Sequence, residues 1–221
     1  MKYKAIAFDI DGTLYPNWRM YLRSLPFALT HISLIKAFAR VRKELRSIRP
    51  ITNFLLLQAE MVGNEMGISA GEARRLIDTH LYREWELVLK KVPLYPGVLE
   101  LLTNLRDSGY RLAVASDFPV ERKLEILGLS DMWDFSLSTE DTNYLKPNPE
   151  PFLEISANLG IPPQDILYVG NSLHYDVLGA KSVGMHAAHL TRHRDSQSPA
   201  DFSFQHYQQL SQFLLSPEKR G

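Results

Sequence analysis

The chain has 221 residues, with 25 Lys and Arg balanced by 25 Asp and Glu, no cysteine, 45% apolar and 23% charged residues. This composition is ordinary for a folded protein and excludes bulk disorder, which requires low hydrophobicity with high net charge. It also excludes a disulfide framework, a thiolate metal site and a cysteine nucleophile, and zero net charge gives no global argument for nucleic acid.

The N-terminus holds only a short apolar run, ended by Asp9 and Asp11, which does not read as a signal peptide. The longest apolar region, residues 24–39, is broken by Pro26, His31 and Lys36. It falls short of the ~20 apolar residues of a membrane span. A cytoplasmic protein without membrane contact is expected.

Ala5-Ile6-Ala7-Phe8 is a continuous apolar run suited to a strand buried on both faces. It leads into the turn-rich Asp9-Ile10-Asp11-Gly12-Thr13. Residues 16–91 then contain no convincing strand. Leu29, Ile32, Ile35 and Ala39 have helical spacing, as do Phe54, Leu57 and Met61, and Leu76, Leu81, Trp85 and Val88. Pro50, Gly63, Gly67 and Gly71 punctuate them, so three or four inserted helices are expected. Phe54, Met61, Met66 and Trp85 would form the insertion's own core, with Trp18 as a hinge anchor or a substrate contact beside Arg19.

From Pro93 onward the pattern alternates. Helical spacing at Val98, Leu101, Leu102 and Leu105 precedes an apolar run at residues 112–115. Helices at 119–127, 149–159 and 176–183 each end before a glycine, and apolar runs lie at 166–169 and 186–189. Residues 135–137 and 202–204 are weaker strand candidates. Alternating strands and helices predict an α/β fold, a Rossmann-like doubly wound parallel sheet with ligands beyond the strands' carboxyl ends. The sheet core would comprise residues 1–15 and 92–221, and the helical cap residues 16–91. Residues 192–199 read as a polar loop and 216–221 as a solvated tail.

Charge is unevenly placed. Residues 16–50 carry Arg19, Arg23, Lys36, Arg40, Arg42, Lys43, Arg46 and Arg49 against Glu44 alone. A solvated helix face accounts for this, as does a positive lid that draws in an anionic substrate or a membrane-surface helix.

Four groups at predicted strand ends could carry chemistry. Asp9 and Asp11, two apart, repel unless a cation or shared proton compensates, and a hard oxygen-seeking ion such as magnesium suits them. Their alternative is simple turn formation. Ser116, followed by Asp117, offers a hydroxyl or a helix cap. Lys146 is held by Pro147-Asn148-Pro149. Gly170-Asn171 through Asp176 closes a fourth strand. His186, His189 and His193 suggest a metal cluster, but residues three apart on a strand face opposite sides.

The order of these pieces resembles the haloacid dehalogenase superfamily, whose members are mostly phosphatases. Asp9-Ile10-Asp11-Gly12-Thr13-Leu14, Ser116, Lys146 with Pro147-Asn148-Pro149, and Gly170 through Asp176 match its four motifs in turn. The resemblance spans residues 4 to about 190 and implies hydrolysis of a small phosphorylated metabolite. It implies Asp9 as nucleophile, Asp11 as acid and base, and Gly12, Thr13, Ser116, Asp117 and Lys146 around the phosphoryl group. It further implies Mg2+ on Asp9, the Asp11 carbonyl, Asn171 and Asp176. A phosphomutase would use the same residues, and a catalytically weak binding homologue is the third reading. Asp11 favours phosphate over halide chemistry, because a departing halide needs no proton. Asn171 departs from the family pattern, which places an aspartate there. A neutral oxygen would have to replace an anionic ligand, which gives Asp176 added weight.

Overall fold

The computed structural model describes residues 2–192 and 198–216. His193 and residues 217–221 of the expected tail lie outside the described residues. In chain order, β1 (Ala5–Asp9) is followed by α1 (Asn17–Thr30), α2 (Ile32–Leu45), α3 (Phe54–Met66), α4 (Ala70–Leu76) and α5 (Glu84–Leu89). The chain continues through α6 (Val98–Asp107), β2 (Arg111–Ser116), α7 (Glu121–Leu127), β3 (Phe135–Ser138) and α8 (Pro149–Leu159). It ends with β4 (Ile166–Gly170), α9 (Leu178–Ser182), β5 (His186–Leu190), β6 (Phe202–Phe204) and α10 (Tyr207–Leu215). Both weaker strand candidates are strands. Among the described residues no helix is long and apolar enough to cross a membrane.

All six strands pair in parallel, in the order β3-β2-β1-β4-β5-β6. The winding direction reverses beside β1, so the ligand crevice of such a sheet falls beyond the ends of β1 and β4. Side-chain alternation divides the core into two layers. Ile6, Phe8, Leu112, Val114, Leu167 and Val169 pack with α6 and α10. Ala5, Ala7, Ala113 and Ala115 face the other layer. These alanines leave room for Phe152 of α8 and Tyr168, whose rings meet edge to face at 4.9 Å.

The inserted helices enclose a third cluster, including Leu34, Phe38, Val41, Leu45, Phe54 and Leu81. The expected helix face is corrected here. Leu29 and Ile32 are 76% and 53% exposed. The chain breaks at His31 between α1 and α2, so α2 restarts on its own stripe of Leu34, Ala37, Phe38, Val41 and Leu45. Trp85 packs on the sheet's cluster, because α5 returns beside α7. Trp18 is half exposed, while Leu14, Tyr15 and Met20 around it are buried.

The basic segment is neither a free lid nor simply solvated. Arg40 pairs with Glu65, Arg42 with Glu140, Arg46 with Asp117 and Arg49 with Glu150. Arg42 is buried, donates also to the Asp117 carbonyl and to Gln58 Oε1, and lies 4.5 Å over the Phe118 ring. Arg46 donates to the Lys146 carbonyl and stacks at 4.1 Å on Tyr175. The Arg40 pair lies within the insertion, whereas the Arg42, Arg46 and Arg49 pairs tie the insertion to Glu140, Asp117 and Glu150 of the sheet portion.

Removing one partner from a buried pair leaves an uncompensated charge, which costs about 3–5 kcal/mol. Arg42→Met should therefore lower unfolding stability in urea by that amount, and adding Glu140→Gln should recover much of it. Burial alone would raise the Asp117 carboxyl, but Arg46, Lys146, Arg42 and the Thr139 hydroxyl hold it at about 2. A depressed carboxyl stabilises the fold above its unfolded value and loses that contribution as pH falls through its folded one. Asp117→Asn should cost about 2 kcal/mol at neutral pH, with the gap to the parent protein narrowing between about pH 4 and pH 2 in acid-unfolding curves.

Candidate active site

β1 delivers Asp9 to the crevice, and the chain turns at once: the Thr13 and Leu14 N–H groups donate to the Ile10 carbonyl at 3.1 and 2.9 Å. Gly12 has φ +88°, and a Cβ there would lie 2.1 Å from Asn171 Nδ2. The turn brings the Thr13 hydroxyl to Asp9 Oδ2 at 2.7 Å.

Lys146, buried on the loop before α8, donates from Nζ to Asp9 Oδ1 and to Asp176 Oδ1, both at 2.7 Å. Asp176 sits in a wide helical turn, Leu173–Val177, and its Oδ2 accepts from the Ser172 N–H at 2.9 Å. A Cβ on Gly170 would fall 2.3 Å from that of Asp176, so glycine lets the turn close on the strand end. Burial would lower the Lys146 ammonium, yet Asp176 and Asp9 hold it well above its ordinary value. Burial pushes Asp9 up to about 7, with Lys146 opposing and Asp176 and Asp11 adding to the rise.

Asp11 occupies a second cluster. Its carboxylate accepts from Lys123 Nζ at 2.8 and 2.6 Å, from Ser116 Oγ at 2.6 Å, and from the Tyr15 hydroxyl. Burial opposes ionisation, but Lys123, Ser116 and Tyr15 together hold the carboxyl below its ordinary value. Ser116, expected beside a phosphoryl oxygen, here gives its proton to Asp11 and accepts from the Phe118 N–H at 3.1 Å.

Lys123 was not legible as a site residue, although a signal existed. It shares a helical face with apolar Val120 and Leu124, an unusual place for a free lysine, and it is buried. The Asp117 carboxylate is committed to Thr139 at 2.8 Å, to Arg46 and to the Lys146 N–H at 3.3 Å, so its side chain braces the lysine loop.

Among the described residues no three His, Cys, Asp or Glu side chains group to hold an ion. The expected set depends on a main-chain carbonyl and the Asn171 amide as well as on Asp9 and Asp176. These donors are all oxygen, and three carboxylates, Asp9, Asp11 and Asp176, face two ammonium groups, Lys146 and Lys123. Hard oxygens with surplus negative charge fit a hard divalent cation. His186 and His189 have separate partners: His186 pairs with Asp201, while His189 Nε2 lies 3.2 Å from the Asn171 carbonyl.

Known proteins share this arrangement of the chain. A glyceraldehyde 3-phosphate phosphatase of Methanopyrus kandleri is 29% identical over 204 residues, covering 86% of this chain and 84% of that protein. A pyrophosphatase PpaX of Halalkalibacterium halodurans is 32% identical over 193 residues, covering 85% and 83%. The crystal structure of a HAD phosphatase from Thermococcus onnurineus superposes with a TM-score of 0.64 at 27% identity, covering 96% of this chain and 97% of that one. The family model for haloacid dehalogenase-like hydrolases matches residues 3–184, and with the parallel sheet and its crowded strand ends this shows that the chain belongs to that family.

Proposed function

We propose that the protein is a magnesium-dependent phosphatase acting on a small phosphorylated metabolite through an aspartyl phosphate, with residues 16–91 as a cap over a core of residues 1–15 and 92–221. The observation that carries this reading is the Lys146 bridge between Asp9 and Asp176 at 2.7 Å to each, which sets an aspartate nucleophile beside a fixed ammonium at the strand ends. The names of the related phosphatases support the reaction class.

Asp9 attacks phosphorus, and the bond from phosphorus to the alcohol oxygen breaks. Attack by a carboxylate divides one hard displacement into two easier ones. Lys146 and the Thr13 hydroxyl orient Asp9, and the Lys146 ammonium offsets charge on the phosphoryl oxygens. Asp11 gives the departing oxygen a proton. It then takes one from the water that attacks phosphorus, and phosphate leaves with Asp9 restored. Such acid–base help is worth roughly 10²–10⁴-fold. Lys123 and Ser116 hold Asp11 ionised, the form suited to the second half, so its acid role requires release from that grip. Mg2+ on Asp9, Asp176, the Asn171 oxygen and the Asp11 carbonyl would supply electrostatic screening between carboxylate and phosphoryl group.

Asp9→Asn should abolish magnesium-dependent phosphate release from an aryl phosphate while leaving the thermal unfolding profile cooperative; retained turnover refutes the nucleophile. Asn171→Asp should keep turnover and tighten Mg2+ binding at least about tenfold in a calorimetric titration, since it adds an anionic ligand. Unchanged Mg2+ affinity would remove Asn171 from the ligand set.

A further inference from the structure

None of the four motifs extends past Asp176, yet α10 returns to the reaction centre from the far end of the chain. It opens on Tyr207, which is buried and whose hydroxyl donates to the Thr13 carbonyl at 2.6 Å. The same peptide is held at its other side, where the Leu14 N–H donates to the Ile10 carbonyl at 2.9 Å. The next carbonyl, that of Leu14, accepts from the Tyr95 N–H at 2.9 Å. Thr13 in turn donates its hydroxyl proton to Asp9 Oδ2 at 2.7 Å. Two hydrogen bonds therefore connect the C-terminal helix, through Thr13, to the Asp9 carboxylate.

Tyr207 is itself fixed. Its ring meets Phe204 edge to face at 5.5 Å and lies 6.1 Å from Tyr95. A Cβ on Gly97 would lie 3.4 Å from the Tyr207 Cβ, so α10 seats closely on the loop before α6. The Gln209 side chain accepts from the Gln205 and His206 N–H groups at 2.8 and 3.2 Å, which closes the start of the helix. At its other end the Tyr110 hydroxyl donates to the Leu214 carbonyl at 3.2 Å. Burial, with Asp9 and Tyr95 nearby, holds the Tyr207 hydroxyl well above its ordinary value, so it keeps the proton that it donates.

We infer that Tyr207 is a positioning residue for phosphoryl transfer: its hydroxyl fixes the Thr13 peptide and, through it, the orientation of Asp9. This role rests on the reading of Asp9 as nucleophile. Asp9 sets one oxygen against Lys146 and the other against Thr13, so a shift of the Thr13 hydroxyl rotates the carboxylate. Removing the donor from the Thr13 carbonyl frees that peptide, and a misplacement of about 1 Å at a reacting group costs roughly 100-fold in rate.

The test uses the full chain with Mg2+. Tyr207→Phe keeps the ring and removes only the hydroxyl; kcat for release from an aryl phosphate should fall at least about tenfold, with KM within about twofold of the parent. Tyr110→Phe removes the bond at the other end of α10 and should leave kcat within about twofold. Thr13→Val deletes the hydroxyl through which Tyr207 acts, so adding Tyr207→Phe to it should cost less than about twofold more. Amide exchange followed by NMR needs no turnover: the Leu14 N–H should exchange at least about tenfold faster in Tyr207→Phe than in Tyr110→Phe. An unchanged kcat, an additive loss on Thr13→Val, an equal loss in Tyr110→Phe, or unchanged Leu14 exchange overturns the inference. Faster Leu14 exchange in Tyr207→Phe, with no phosphate release from the parent protein, overturns the phosphatase reading and leaves the brace on the turn standing.

Discussion

One buried ammonium organises the strand ends. Lys146 lies buried between Asp9 and Asp176, its Nζ 2.7 Å from each carboxylate, and opposes the cost that burial imposes on Asp9. At 2.7 Å and an effective dielectric near 20, each contact is worth roughly 6 kcal/mol. Desolvation costs several kcal/mol for each of the three ions, and burial still leaves Asp9 raised to about 7 against the pull of Lys146. The remaining geometry follows from serving both contacts. Gly170 yields space to Asp176, the wide turn after β4 swings Asp176 inward, and prolines on both sides of Asn148 stiffen the lysine loop.

A second charge system ties the insertion to the sheet. Arg42 and Arg46 meet Glu140 and Asp117, residues far away in sequence but adjacent to the strand ends. Arg42, Arg46 and Arg49 of the segment are therefore matched by acidic residues of the core, while Arg40 pairs with Glu65 inside the insertion. The two systems divide the strand ends: Lys146 joins Asp9 to Asp176, and Arg42 and Arg46 hold the inserted helices against Glu140 and Asp117.

The sheet was legible because its strands are short, wholly apolar runs closed by turn residues, a pattern that a buried parallel strand requires. Asp9, Asp11, Ser116, Lys146 and Asp176 were legible because their types and order match a family motif set. The structure brings Asp9, Lys146 and Asp176 together as one group, and Asp11 with Ser116 as another. The insertion was read less well. Helical spacing at Leu29 and Ile32 describes one continuous helix, and the break at His31 changes which face is buried. The fates of Arg42 and Asp117 were not legible, since each depends on a partner about seventy or more residues distant, which no local period encodes. Lys123 left a faint local signal, an ammonium on an apolar helix face.

The peptide of Lys146 is clamped on both sides: its carbonyl accepts from Arg46 of the insertion, and its N–H is held by Asp117, which Arg46 also grips. Seating of the helices and placement of the lysine thus share one set of contacts, and a single side chain, Arg46, belongs to both.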